Sequence, residues 1–125
     1  MARPTIAGVA LSTIEWKTLE EIYGPVDFET APGEAACILA EDPASGASTT
    51  LVRLPPGWST SSRERHSALQ EEVLLEGDID LGSGRFEAPA YFCFPPGAPH
   101  GPGSTVDGAV LLVIFDGAVD IEYLD

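Results

Sequence analysis

Lysine is nearly missing from this 125-residue chain. Lys17 stands alone with five arginines against twenty acidic residues, for a net charge of −14. A field of that sign repels nucleic acid and anionic lipid, which excludes both as main partners. Histidine is equally scarce: His66 and His100 are the two present, so imidazole chemistry must use them. Cysteine is limited to Cys37 and Cys93, in the apolar runs AACILA and YFCF. A pair this sparse is no disulfide framework, so buried reduced thiols and a cytoplasmic location are expected. No apolar run approaches the roughly 18 residues of a membrane span. The start, MARPTIAGVALSTIEW, has no charged segment before a compact apolar stretch, so no signal peptide is expected. A Gly-rich phosphate loop, a C-x-x-C pair and a nucleophile context for the serines are missing too. Helical patterning is confined to WKTLEEIYG (16–24), hemmed in by prolines.

What the chain does have is short strands and turns. AACILAE (35–41) and STTLVRL (48–54), joined by the turn residues DPASG, read as a hairpin. EEVLLEGDIDLGSG (71–84) reads as two short strands around Glu76-Gly77-Asp78. YFCF (91–94) is a strand stopped by Pro95-Pro96-Gly97. GAVLLVIFDG (108–117) is the most apolar run, and VDIEYLD (119–125) alternates like a half-exposed edge strand. Short strands at regular spacing indicate an all-β sandwich or barrel in one domain. The expected division is an N-terminal segment, 1–34, with strand or short-helix character, and a barrel over 35–125. The N-terminal segment is expected to pack on the barrel or on a dimer mate.

One echo bears on chemistry. LPPGW (54–58) and FPPGA (94–98) each end a strand, and each precedes one of the two histidines. In an extended strand residues two apart share a face, so Glu64 and His66 point one way while Arg63 and Arg65 point the other. Gln70 follows a bend at Ser67-Ala68 and can return to the same space.

These residues resemble the two motifs of the cupin superfamily, the small RmlC-like jelly rolls. The first motif reads Gly57, Glu64-Arg65-His66, three residues, Gln70, six residues, Gly77; the second reads Pro95-Pro96-Gly97-Ala98-Pro99-His100, with Ser104 at the place of an asparagine. The resemblance covers about residues 35–117 and is similar in flavour to the anti-sigma-factor and tandem-cupin branches. It implies an all-β fold of the cupin type, a double-stranded β-helix or jelly-roll barrel. It also implies a divalent metal, with the four ligand positions falling on Glu64, His66, Gln70 and His100. The usual set is three histidines and a glutamate. Here one histidine position holds Glu64 and the glutamate position holds Gln70, which keeps the single negative charge but moves it. Such an N2O2 set suits Zn, Mn, Fe, Ni or Co without choosing among them.

The register has an alternative. Glu71 could be the fourth ligand instead of Gln70, with Val73 and Leu75 then inward; an inward Gln70 instead carries Glu72 and Leu74 into the barrel. Spacing to Gly77 favours Gln70. The function implied is a metal-dependent enzyme acting on a small organic substrate in the barrel mouth: an oxygenase, isomerase, lyase or cyclase. The alternative is a non-catalytic cupin that binds a small molecule or regulates, with an altered metal site. A metal-free isomerase using a histidine base is a third option, ill matched to phosphorylated substrates at this net charge. A homodimer is expected, as many small cupins pair through strands.

Overall fold

The computed structural model describes residues 3–26 and 32–124; residues 1, 2 and 27–31 of the N-terminal segment and Asp125 lie outside the described residues. Among the described residues the strands are β1 Ala35–Glu41, β2 Ser48–Leu54, β3 Glu64–Arg65, β4 Gln70–Asp80, β5 Arg85–Glu87, β6 Ala90–Phe94, β7 Ala109–Phe115 and β8 Glu122–Tyr123. A 3-10 turn, Leu11–Thr13, and a short helix, α1 Leu19–Tyr23, precede them. The Thr18 and Glu21 capping box starts α1, and Gly24 at φ 73° ends it.

All pairings are antiparallel, in the order β1-β2-β7-β4, and β4 is then flanked by β6 along its first half and by β5 along its second. The other side of the barrel is closed by the pair β3-β8 and by single bridges, Ser59 with Ser104, Asp80 with Ser104 and Glu64 with His100. This is an all-β jelly roll. The expected hairpin is β1-β2, and its turn is held by Asp42, whose carboxylate accepts from Ala44 N at 3.0 Å and Ser45 Oγ at 2.9 Å.

Strand alternation sorts the interior into rows. Phe94, Gln70 and Phe115 lie in one row, Phe92, Glu72 and Val113 in the next, Ala90, Leu74 and Leu111 in the third. Below them the core gathers Leu54, Ile79 and Leu81. Leu74 and Ile79 have no exposure at all, and burying side chains of this size contributes about 2–3 kcal/mol each. Part of the N-terminal segment runs along the free edge of β1. Lys17 bridges Ala36, and Arg53 sits over the Trp16 ring at 4.6 Å. Arg3 Nη2 donates to the carbonyls of Phe115 at 2.6 Å and Ser48 at 3.2 Å.

Two expectations change. The stretch 71–84 does not make two short strands around Glu76-Gly77-Asp78. It holds one long strand, β4, with a register shift against β7 between Leu74 and Glu76. Gly77 makes this possible: at φ 83° it bends the strand without ending it, and a Cβ there would lie 1.9 Å from the Gly108 carbonyl oxygen. Gly77→Ala is expected to destabilise the protein by roughly 2–4 kcal/mol in urea unfolding; a loss under about 0.5 kcal/mol would show that the position opposite Gly108 tolerates a side chain. The second change concerns the thiols. Both are free, but Cys93 is exposed and Cys37 half-buried. The apolar run YFCF implies a buried Cys93 thiol, whereas β6 alternates, with Phe92 inward and Tyr91 and Cys93 outward.

Candidate metal centre

The two motifs meet through their backbones. Glu64 N donates to His100 O at 2.8 Å, and His100 N donates to Glu64 O at 2.9 Å, which sets these residues opposite each other. The proline-glycine turn is fastened to the first motif as well, because Gly97 N donates to His66 O at 2.8 Å. On its other edge β3 pairs with β8, where Arg65 makes a two-pronged ion pair with Glu122 at 2.8 and 2.9 Å. Arg65 is thereby committed outward, and alternation turns Glu64 and His66 inward, as the sequence spacing implied.

The His66 ring is fixed by its Nδ1, 2.5 Å from the carbonyl oxygen of Asp120. A carbonyl can only accept, so Nδ1 carries the hydrogen and Nε2 of the neutral ring presents a lone pair. That Nε2 is buried without a partner, 3.5 Å from Glu64 Oε2. Two acceptors facing each other repel unless a cation or proton lies between them. His100 Nδ1 and Gln70 Oε1 are also buried without a hydrogen-bond partner. One ligand atom from each of Glu64, His66 and His100 lies within 4.8 Å of the others. Burial holds the His100 pKa down at about 4, helped by the nearby His66 and partly opposed by the Ala98 backbone. Its imidazole is neutral at pH 7, the form a metal requires. Lone pairs that converge and find no protein donor are what a bound divalent cation would satisfy, so these residues fit the group.

Gln70 is turned into the barrel, in register with Phe94 and Phe115. The two aromatics in its row contact the two histidines: Phe94 stacks on His100 at 4.2 Å, and Phe115 meets His66 edge-on at 5.1 Å. Gln70, Glu72 and Leu74 are all buried, whereas the Glu71 carboxylate is hydrogen-bonded by the Tyr91 hydroxyl on the outer face. Glu71 therefore faces away from the histidines. Glu72 is a carboxyl inside the barrel, with its pKa pushed up to about 7 by burial first and by the Glu64 carboxylate second.

The sequence matches the family model of the ChrR cupin-like domain over residues 8–120. The chain belongs to the ChrR cupin-like family. No protein of curated function matches its sequence. Among solved structures it is similar to a candidate acetylacetone dioxygenase from Methylibium petroleiphilum PM1, at 21% identity and TM-score 0.75, covering 100% of this chain and 85% of that one. It is also similar to an acetylacetone dioxygenase from Acinetobacter johnsonii, at 19% identity and TM-score 0.69, covering 98% and 80%. A third likeness is to the anti-sigma factor ChrR of Rhodobacter sphaeroides, solved in complex with SigE, at 19% identity and TM-score 0.61, covering 86% of this chain and 52% of that one. At these identities the likeness is one of fold. The family match reaches back to residue 8 and so takes in the N-terminal segment as well as the barrel.

Within this ChrR cupin-like barrel, sequence reasoning missed several supports of the site. Asp120 fixes His66 through its backbone carbonyl and holds Ser67 through its carboxylate, which accepts from Ser67 N at 2.8 Å and from the Ser67 hydroxyl. A carbonyl carries no residue signature, so no motif could reveal it. Asp78 was also missed, although it lies inside a stretch that the motif spans. Its buried carboxylate accepts from Thr105 Oγ1 at 3.1 Å, Val106 N at 2.9 Å, Asp107 N at 2.8 Å and Arg85 Nε at 3.0 Å. It thus pins the segment that leads from the second motif to β7.

Proposed function

We propose that this protein holds one divalent metal ion through Glu64, His66 and His100, with the Gln70 carbonyl oxygen beside them, and acts on a small organic carbonyl compound. The observation that carries the reading is the cluster of Glu64, His66 and His100, whose ligand atoms lie within 4.8 Å of one another and in which His66 Nε2 and His100 Nδ1 are buried without a hydrogen-bond partner. Two histidines and a carboxylate form the ligand pattern of non-haem iron oxygenases. The similar folds of acetylacetone dioxygenases add weight to an oxygenase, and their name suggests a neutral dicarbonyl compound as substrate.

When bound, the metal supplies a Lewis acid for a substrate oxygen or an ion that can engage dioxygen. The chain supplies the rest. Asp120 holds the His66 tautomer, Glu64 contributes negative charge, and Phe92, Phe94 and Phe115 line the interior with apolar surface that keeps water out.

Elemental analysis of the purified protein is expected to give about one metal ion per chain. Protein reconstituted with Fe(II) is expected to consume oxygen when acetylacetone is added. Metal without turnover would leave a binding protein; protein that takes up no metal at all would sink the reading.

A further inference from the structure

We propose that the C-terminal strap, residues 116–124, latches the metal centre. Asp120 and Ser67 are its positioning residues: their clasp keeps His66 in the pose that binds metal, so strap closure and metal binding strengthen each other. The inference rests on the metal-binding reading above and concerns the regulation of that same site by residues outside the ligand set.

His66 is buried, yet the segment that fixes its ring is not. None of residues 116–124 is buried; Gly117, Ile121 and Leu124 are half-buried, and Val119 and Tyr123 are 49% and 42% exposed. A cavity of about 370 Å³ opens between the strap and the Pro96-Gly97 turn, and His66, Ser67, Asp120 and Ile121 help to line it. The strap is thus not packed down on the turn it faces. A segment with so little apolar burial opens locally, at far lower free energy than unfolding of the barrel. Its Asp120 carbonyl is nevertheless the group that lies 2.5 Å from His66 Nδ1.

Polar clasps hold the strap instead. Leu69 N donates to the Asp116 carboxylate at 2.9 Å, and Asp116 N donates to Leu69 O at 3.2 Å. At the far end Leu124 N donates to Arg63 O at 3.0 Å. The pair of Arg65 and Glu122 is exposed and screened, so it adds little. The clasp beside the carbonyl is Asp120 with Ser67, whose N donates to one carboxylate oxygen at 2.8 Å and whose hydroxyl donates to the other. Asp120 therefore acts in two directions. Its side chain grips the residue after the ligand, and its main chain grips the ligand. When the strap lifts, the hydrogen bond that aims His66 Nε2 at Glu64 is gone. A metal that requires that pose shifts the strap toward closed. By linkage, the factor by which closure tightens the metal is the factor by which the metal suppresses opening.

Zinc affinity by chelator competition on wild type, Asp120→Ala and Asp120→Asn tests the latch, together with amide exchange by NMR on wild type with and without zinc. Asp120→Ala deletes the clasp but keeps the carbonyl, and it is expected to weaken zinc binding about tenfold or more. Asp120→Asn removes the charge but can still accept from Ser67 N and bond its hydroxyl, so it should stay within about threefold of wild type. Zinc is expected to slow exchange of the Ser67 and Leu124 amides about tenfold or more. The reference is the Ala88 amide, which donates to Gly77 O at 3.0 Å, far along β4 from Gln70, and should keep its rate. The proposal is overturned if Asp120→Ala binds zinc like wild type, or if Asp120→Asn loses as much as Asp120→Ala, which would make charge rather than the clasp responsible. It is overturned as well if zinc slows the strap amides no more than Ala88. Should Asp120→Ala fail to fold, the exchange rates of wild type decide alone. Wild type that takes up no zinc would overturn the metal-centre reading itself, and this inference with it.

Discussion

Purified His66→Ala and His100→Ala are each expected to lose metal affinity by more than about 100-fold while keeping their fold. The expectation comes from how each imidazole is held. His66 is locked by the Asp120 carbonyl, so its free Nε2 points at Glu64 whether or not a cation is present. His100 is stacked on Phe94 and tied through its backbone to Glu64, so it cannot swing to replace a lost partner. Each histidine is thus fixed in place, and removing one leaves a hole rather than a substitute. Glu71→Ala is the matched control. It removes a carboxylate one residue from Gln70 but on the outer face, where Glu71 bonds Tyr91, and it should bind metal like wild type. Competition titration with a chromogenic chelator reads all three. Wild-type affinity in both histidine variants would place the metal elsewhere, and a large loss in Glu71→Ala would mean that β4 does not face the site as described.

How much of this could be read from the chain alone follows from what each feature depends on. The jelly roll was legible because Gly/Pro turns and apolar alternation are local, and β1, β2, β6 and β7 form where their runs stand. The convergence of Glu64, His66 and His100 was legible because two spaced motifs placed both histidines just beyond turns. The inward turn of Gln70 depended on a period of two, and that same period obliged Glu72 to follow it. Other features were hidden for definite reasons. β3 and β8 are two residues each, too short for any pattern to register, yet their pairing orients Arg65 outward. The single long β4 was hidden because Glu76-Gly77-Asp78 has turn composition, and only the close passage of Gly108 shows why a glycine sits inside a strand there. Cys93 was misplaced because a four-residue apolar run does not tell a fully buried strand from a half-buried one.

Asp78→Ala is expected to destabilise the protein by roughly 2–4 kcal/mol near pH 7, because it removes a buried carboxylate that gathers several donors, one of them the buried Thr105 hydroxyl. Thr105 is 4% exposed and loses the carboxylate its hydroxyl points to, although that hydroxyl still accepts from Gly108 N at 3.0 Å. The backbone N–H groups of Val106 and Asp107 lose their acceptor as well. Arg85 is counted lightly, since its side chain is 45% exposed and its pairing is screened by water. The acid limb separates this account from simple loss of packing. Burial pushes the Asp78 carboxyl up, but the hydrogen bonds from Val106, Asp107 and Thr105, with Arg85 nearby, outweigh it and set its pKa below the usual carboxylate value. A carboxyl lowered in the folded state stabilises fully above the unfolded pKa of about 3.9, and that contribution fades as pH falls through the folded value. The gap in unfolding free energy between wild type and Asp78→Asn should therefore be constant from pH 7 down to about pH 5 and shrink below about pH 4. Urea unfolding of both proteins across that range measures it. A gap that stays constant to acid would show that Asp78 holds the segment by shape alone. A shrinking gap would show that its charge, gathered onto three donors after the second motif, keeps the chain beyond His100 in place.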